Sequence, residues 1–327
     1  MMGHTWRRCV CVAGVLLVLF AATSSAIAQA WPAKPVHIVV AQAAGGGTDA
    51  LARLIAQKMS ESLGQSVIVE NKTGAGGVIG THFVAKAAPD GYTLLMAPTG
   101  NLVFAPILYP KLPYSPLQSF VPVSMVATFP LVLVVNASQP FRTGQELVAY
   151  MKAHPEKANY GGSGPAFQFA MELFKLKTDT SAQFIQYKGT NEVVSAVIAG
   201  DLLLSLLDTG PMAAQINGGR LRALAVTSPQ RLALLPNVPT MAEIGLPDLE
   251  IQYWAGIFAP AGTPPEVVKK LEAEIQRAVR QPEVVERMTS IQVQPAGSSS
   301  EAFTKILASD LSRWSAVANA ANIKPSE

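Results

Sequence analysis

Apolar runs of strand length alternate with helical patterns along the first third of the chain. The runs are VHIVVA at 36–41, SVIVEN at 66–71 and YTLLMA at 92–97. Between the first two, apolar residues recur at helical spacing: Leu51, Leu54, Ile55, Met59 and Leu63. Strands that alternate with helices in this way predict βαβ units and a mainly parallel α/β sheet.

Two helices have recognisable ends. We expect the first to begin at Thr48 or Asp49, whose side chains can cap it, and to end at Gly64. A later segment, PPEVVKKLEAEIQRAVR at 264–280, has prolines at its entry and charges along one face. This pattern predicts an exposed amphipathic helix that packs on the first domain.

A second α/β series begins at VSMVATFPLVLVVN, residues 123–136. It continues to about residue 227 through predicted helices and strands, a length of about one hundred residues that is usual for a domain. We expect the chain to cross between the two units twice, at 123–136 and at about 250–260. Two crossings predict a hinge and a cleft between lobes.

The N-terminus has the three-part pattern of a secretory signal peptide. Arg7 and Arg8 precede an acid-free apolar run from Val10 to Ala22, and small residues follow to Ala30. A membrane anchor is the alternative, but the run is shorter than the roughly 20 residues that a spanning helix needs. We therefore expect a leader over 1–28, removed at one of two possible sites, and an exported protein.

The mature chain has little charge and no thiol chemistry. Cys9 and Cys11 both lie in the predicted leader. Without Arg7 and Arg8, the 25 basic residues become 23 against 22 acidic ones, a net charge near +1. Such a balance does not indicate a nucleic-acid partner.

Catalytic patterns are not evident. The four histidines have no metal-ligand spacing: His4, His37, His82 and His154. The segment GGSGP at 161–165 departs from the GxSxG nucleophile elbow because Pro165 replaces the last glycine, and no histidine follows Ser163. We predict no catalytic residue, no metal and no cofactor.

The glycine stretch TGAGGVIG at 73–80 is close to the dinucleotide-binding fingerprint. That fingerprint expects an acid at the end of the next strand, but this strand ends in Pro98-Thr99-Gly100. We therefore reject a nucleotide site and interpret the glycines as a tight turn between a strand and a helix.

Similar loops follow several predicted strands: AQAAGGGTD at 41–49, TGAGG at 73–77, PTGN at 98–101, GGSGPAF at 161–167 and KGTNE at 188–192. In an α/β sheet such loops meet at the carboxyl ends of the strands, where helix N-termini present free N–H groups. Several of them facing one cleft would hold a small carboxylate or phosphate. Glycines that only permit tight turns are the alternative.

Five segments resemble the Bug family of periplasmic solute-binding proteins, the TctC-like receptors of tripartite tricarboxylate transporters: GGGTDALARLIAQKM, VIVENKTGAGGVIGTHFVAKAAPDGYTLLM, LRALAVTSPQR, LPNVPTMAEIGLP and APAGTP. The resemblance runs from Trp31 to Ile323. It implies a two-lobed, type II periplasmic-binding-protein fold, in which each lobe is a mixed β-sheet flanked by helices and the ligand cleft lies between the lobes. Lobe 1 would comprise 29–127 and 251–327, and lobe 2 would comprise 128–250.

The resemblance also implies a function in the Gram-negative periplasm. The protein would bind a small organic carboxylate, such as a dicarboxylate, a tricarboxylate or an aromatic acid, and deliver it to TctA/TctB-like membrane subunits. It would act as a monomer, without catalysis. A ligand-binding subunit for a sensor kinase and an exported enzyme on the same fold are the alternatives.

Carried over residue by residue, the resemblance implies ligand-binding positions on both lobes. In lobe 1 they are Gln42, Ala44, Gly45, Gly46, Thr48, Gly76, Thr99, Gly100 and Asn101. In lobe 2 and the returning segment they are Ser163, Gly164, Phe167, Thr190, Asp208 and Trp254. Capping of a short helix for Asp208 and a place in the core for Trp254 are alternatives that stay open.

Two segments depart from the family's pattern. Gln42-Ala43-Ala44 stands where relatives usually have an aromatic residue and prolines, and GGSGPAFQ at 161–168 is shorter and more apolar than the corresponding loop of relatives. Both touch the expected pocket, and they indicate a bulkier or less polar ligand, such as an aromatic acid.

Overall fold

A computed structural model describes residues 31–325, and the predicted leader lies outside the described residues. The strands are β1 (Val36–Val40), β2 (Val67–Asn71), β3 (Thr93–Pro98), β4 (Phe120–Asn136), β5 (Asn159–Gly162), β6 (Gln183–Gln186), β7 (Leu204–Asp208), β8 (Leu221–Val226), β9 (Gln252–Pro260) and β10 (Gln294–Pro295). The main helices are α1 (Gly47–Leu63), α2 (Val78–Ala85), α3 (Gly144–Ala153), α4 (Pro165–Thr178), α5 (Thr190–Ala199), α6 (Thr209–Asn217), α7 (Pro265–Val279), α8 (Pro282–Ser290) and α9 (Ser300–Ala320). Within this part of the chain, no helix is both long and apolar enough to cross a membrane.

The first half of the sheet, called half-sheet 1, has the order β2-β1-β3-β9 followed by residues 120–130 of β4. Strand β1 is parallel to β2 and β3, with Ile38 opposite both Val69 and Leu94. Strand β9 is antiparallel to β3 and to β4. Half-sheet 1 is therefore parallel where the predicted βαβ units lie and antiparallel where the chain returns.

The second half, called half-sheet 2, is built on residues 131–136 of β4. Strands β7 and β8 both run antiparallel to this segment. Strand β5 lies between β6 and β7 and is parallel to both. The 17 residues of β4 thus form one continuous strand that pairs in both halves.

The two faces of the sheet are covered differently. On one face a single apolar cluster extends from Leu95 in half-sheet 1 to Leu204 in half-sheet 2, and α9 contributes Trp314 to it. On the other face there are two separate clusters, one under α1, α7 and α8 around Leu271, and one under α5 and α6 around Val197. The two half-sheets therefore share one hydrophobic core on the face covered by α9, and each has a separate core on the opposite face.

Helix α7 confirms the prediction for the segment at 264–280. Its apolar side buries Val268, Leu271 and Ile275, and the helix packs on α1 and β4. This is the packing on the first domain that its amphipathic pattern predicts.

The predicted start of α1 is wrong. The helix begins at Gly47, and its N-cap is Gly46, which makes no side-chain capping bond. Asp49 is instead in the first turn and accepts a hydrogen bond from the backbone N–H of Gly45 at 2.9 Å. The predicted end at Gly64 is confirmed, since this residue adopts the left-handed conformation after the last turn.

Candidate functional site

The carboxyl ends of the parallel strands in both half-sheets approach the same stretch of β4. At the end of β3, Pro98 is opposite Ala255 of β9, which is itself opposite Ala127 of β4. At the end of β7, Asp208 is opposite Leu131 of β4. The loops that follow these strands therefore gather near residues 127–131. We call this region the candidate cleft.

The first loop of the candidate cleft is held by a buried carboxylate. Asp49 accepts hydrogen bonds from Gly45 N at 2.9 Å, Arg53 Nε at 3.0 Å and Asn71 Nδ2 at 2.9 Å. The hydrogen bond from Arg53 is the main reason that the pKa of Asp49 is lowered to about 2. The carboxylate is therefore ionised at neutral pH and fixes the loop between β1 and α1. The predicted residues of this loop lie at its surface: Ala44, Gly45 and Gly46 are exposed and Thr48 is half-buried.

Asn101 joins the three predicted segments of half-sheet 1. Its Oδ1 accepts a hydrogen bond from Gln42 Nε2 at 2.6 Å, and its Nδ2 donates to the carbonyl of Gly76 at 3.3 Å. The Asn101 side chain is almost fully buried, and a Cβ on Gly77 would lie 2.1 Å from its Nδ2. The turn at 74–77 needs glycine at this position because the backbone passes directly against Asn101.

Two hydrogen bonds join Thr99 to the backbone of Trp254 on the neighbouring strand. The Thr99 hydroxyl donates to the Trp254 carbonyl at 3.1 Å and accepts from the Trp254 N–H at 2.8 Å. Trp254 is 1% exposed, and its Nε1 donates to Asp310 Oδ2 at 2.8 Å. Of the two roles left open for Trp254, the structure places the side chain in the core, while Gly100 next to Thr99 is exposed.

Half-sheet 2 brings two predicted hydroxyl groups together. Ser163 Oγ and Thr190 Oγ1 are 3.1 Å apart, one after β5 and the other at the start of α5. Gly164 precedes α4, whose first residue is proline. Phe167 is half-buried and packs against the apolar clusters on both faces of the sheet. The Phe167 ring in the first turn of α4 is thus partly buried in the core, beside the loop that follows β5.

Asp208 has no hydrogen-bond partner for its side chain within residues 31–325. It occupies the N-cap position of α6, but the carboxylate makes no capping bond. Burial raises the pKa of Asp208 to about 6. Burial raises the pKa of the neighbouring Tyr253, and the charge of Asp208 raises it further. In the described part of the chain, this edge of the candidate cleft therefore offers a carboxyl group that makes no side-chain hydrogen bond and whose pKa is raised.

Two residues that shape the site, Asn71 and Tyr114, were not predicted from the sequence. Asn71 bonds both Asp49 and the carbonyl of Gln42. The Tyr114 hydroxyl donates to the carbonyl of Asn101 at 2.8 Å. Asn71 could have been found because it directly ends β2, whereas no local signal in the sequence identifies Tyr114.

The arrangement presents hydrogen-bonding groups from both halves of the sheet. The N-termini of α1 and α5 both begin in loops of the candidate cleft and carry N–H groups with partial positive charge. In the described part of the chain, no group of three or more histidine, cysteine, aspartate or glutamate side chains is placed to hold a metal ion. These groups can bind a small polar anion without covalent chemistry.

Comparisons with known proteins agree with this architecture. A relative from Pseudomonas sp. (strain P51), the UPF0065 protein in the tcbD-tcbE intergenic region, is 40% identical over 309 residues, which cover 93% of this chain and 91% of the relative. The solved periplasmic binding protein BugD is 34% identical with a TM-score of 0.71, covering 90% of this chain and 100% of BugD.

Two further similar structures contain dicarboxylates. A protein of R. palustris with adipate is 32% identical with a TM-score of 0.74, covering 90% of this chain and 100% of that protein. MatC from Rhodopseudomonas palustris with bound malate is 31% identical with a TM-score of 0.69, covering 88% of this chain and 99% of MatC.

These likenesses confirm the predicted α/β periplasmic-binding-protein fold. The family model described as the tripartite tricarboxylate transporter family receptor, TctC, matches residues 51–323. The strand-end loops, the sheet order and this match lead to one conclusion: the chain belongs to the TctC family of tripartite tricarboxylate transporter receptors.

Proposed function

We propose that this protein is an extracytoplasmic solute receptor that binds a small organic carboxylate in the candidate cleft. The observation that carries the proposal is the convergence of strand ends from both half-sheets on residues 127–131 of β4. The similar structures with adipate and malate support a dicarboxylate as the first class of ligand to test. Binding takes place without chemical conversion of the ligand.

The ligand contacts would come from both halves of the sheet. One end of the acid meets the exposed loop at 44–46 and the N-terminus of α1, and the other meets the paired hydroxyls of Ser163 and Thr190. A ligand that touches both halves favours a closed arrangement over an open one. The two lobes, 29–127 with 251–327 and 128–250, would be the moving parts.

Asp208 adds a condition on the ligand. Its carboxyl lies at the same edge as the anion-binding groups, and two unprotonated carboxylates at close range repel each other. Binding therefore needs a proton on Asp208 or a hydrogen-bond donor on the ligand, such as a hydroxyl group. Malate carries such a group, and adipate does not, so the pair of ligands separates the two cases.

Delivery to membrane subunits of a tripartite tricarboxylate transporter is the second part of the proposal, and export by the predicted leader to the periplasm is the third. Delivery rests on membership of the TctC family, and export rests on the leader pattern before residue 29. Uptake of the bound acid by vesicles that contain the membrane subunits would test delivery. Uptake that does not depend on this protein would instead favour a receptor for a sensor kinase.

The experiment on binding uses the mature chain from residue 29 and measures its melting temperature with malate, adipate and benzoate. A ligand present at 100 times its dissociation constant stabilises the folded protein by about 2.7 kcal/mol, which gives a measurable shift. The T190A variant should weaken binding about tenfold, because a hydroxyl contact to an anion contributes about 1.5 kcal/mol.

The matched control is S195A, on the same helix as Thr190 but with its side chain at the exposed surface. It should bind like the wild type. If none of the acids shifts the melting temperature, or if T190A and S195A lose the same affinity, the proposed site is wrong.

A further inference from the structure

A cavity of about 760 Å³ lies beside the turn at 75–76, which includes the predicted ligand-binding residue Gly76. Its walls are this turn, Val78 at the start of α2, the segment 109–112, and Pro325 near the end of the chain. Pockets that bind small molecules in proteins usually have volumes of about 300–1,000 Å³. The cavity is therefore large enough for a ligand of drug-like or metabolite size. We call it the Tyr109 cavity.

The lining of the Tyr109 cavity is mostly apolar, and Lys111 contributes an ammonium group to it. Tyr109 is 41% exposed, and Val78 and Leu112 are half-buried. A ligand that covers exposed apolar surface is stabilised by about 25 cal/mol for each Å² removed from water. Lys111 is exposed and forms no salt bridge with any residue between 31 and 325. An occupant with an apolar body and one negative charge would satisfy both features.

The wall next to the cleft has an unusual backbone. Residues 74–77 all have positive φ, and Ala75, the one residue of the four with a side chain, has a φ of 46°. A non-glycine residue in this conformation is disfavoured and persists where the surrounding structure holds it, often next to a binding site. Here Asn101 holds the turn by donating to the carbonyl of Gly76. The same turn is thus a wall of the Tyr109 cavity and a neighbour of the candidate cleft.

We propose that the Tyr109 cavity is a second binding site, which takes a small amphipathic carboxylate. The aliphatic or aromatic body of the ligand packs against Tyr109, Val78 and Leu112, and its carboxylate pairs with Lys111. Only Gly76 is shared with the residues predicted for the cleft, whereas Tyr109, Lys111 and Leu112 belong to this cavity alone. Variants at these three positions therefore test the second site separately from the cleft.

The test measures octanoate binding to the mature chain by isothermal titration calorimetry. The wild type should bind one octanoate at this site. Replacing Lys111 by glutamate should weaken binding at least about tenfold, since it turns an attraction into a repulsion of similar size. Y109A should also weaken binding, because it removes the exposed aromatic wall. Both residues are exposed, so the variants keep the fold, which their melting temperatures will confirm.

Two controls make the outcome decisive. K157E introduces the same charge change at an exposed lysine in the turn Pro155–Lys157, and it should bind octanoate like the wild type. T190A weakens the candidate cleft and should leave octanoate binding at the Tyr109 cavity unchanged. Absence of octanoate binding to the wild type overturns the proposal. Equal weakening by K157E also overturns it, because this would show a non-specific charge effect. Weakening by T190A but not by K111E overturns it too, because this would place octanoate in the cleft.

Discussion

Replacing Asp208 by asparagine is expected to stabilise the ligand-free protein at neutral pH. The pKa of this carboxyl is raised by burial from 3.8 to about 6, and its side chain has no hydrogen-bond partner within residues 31–325. At 1.36 kcal/mol for each pKa unit, the ionised form costs the folded protein up to about 3 kcal/mol at pH 7.5. Because Asp208 is partly exposed, water screens its charge. We therefore expect D208N to raise the free energy of unfolding by about 1–2 kcal/mol.

The sign of the pH dependence follows from the raised pKa. Between about pH 4 and pH 6 the folded protein binds this proton more tightly than the unfolded chain, so the wild type loses stability as the pH rises through that range. Asparagine has the shape of the protonated acid and cannot ionise. The difference between D208N and the wild type should therefore be small near pH 4 and reach its full size above about pH 7.

Urea unfolding followed by tryptophan fluorescence measures this difference. The matched control is D201N, just before the other end of β7, where the side chain is exposed. It should change stability by less than about 0.5 kcal/mol at all pH values. A D208N variant that is less stable than the wild type at pH 7.5, or whose gain is the same at pH 4 and pH 7.5, would refute the reasoning.

Three further outcomes follow from the fold. D49N should lower the free energy of unfolding by about 2 kcal/mol at pH 7. The lowered pKa of Asp49 contributes stability that is present above about pH 4 and is lost as the pH falls to about 2. An equal loss at pH 2 and pH 7, measured by urea unfolding, would contradict this. G77A should lower the melting temperature, since the new Cβ would lie 2.1 Å from Asn101 Nδ2 and the φ of Gly77 is 96°. G47A should leave the melting temperature nearly unchanged, because a Cβ on Gly47 would have no atom within 4 Å. Equal melting temperatures of the two variants would show that the turn can move. F104A should lower the free energy of unfolding by about 3–5 kcal/mol, because the centroid of this buried ring lies 4.7–5.4 Å from the centroids of three other aromatic rings. The control L117A, at an exposed position, should lower it by less than about 1 kcal/mol in the same assay.

The strands and helices of half-sheet 1 were predictable because their signals are local. The apolar run at 36–41 becomes β1, and the helical spacing from Leu51 to Leu63 becomes most of α1. The start of α1 was missed because the helix begins at Gly47 and its N-cap, Gly46, has no side chain with which to cap it. Propensity rules expect a polar N-cap, whereas Asp49 lies inside the first turn and accepts a hydrogen bond from Gly45 N, which precedes the helix.

The candidate site was predictable only in outline. Strand-end loops place Ser163 and Thr190 on the same edge, because β5 and β6 are parallel neighbours. The exchange of hydrogen bonds between Thr99 and Trp254 joins residues that are 155 positions apart, and no periodicity reports such a pair. The same limit applies to the burial of Asp208, which depends on how β7 meets β4. The assignment of these residues to a ligand stays a prediction.

The shared core on one face of the sheet also bears on the order of folding. Helix α9, at 300–320, places Phe303, Leu307 and Trp314 in a cluster whose other members begin at Val39. Contacts of such long sequence separation cannot form until the last residues of the chain have emerged from the ribosome. An N-terminal portion therefore stays incompletely packed during synthesis. If the predicted leader directs export, we expect this delay to leave the polypeptide incompletely folded while it passes through a membrane channel.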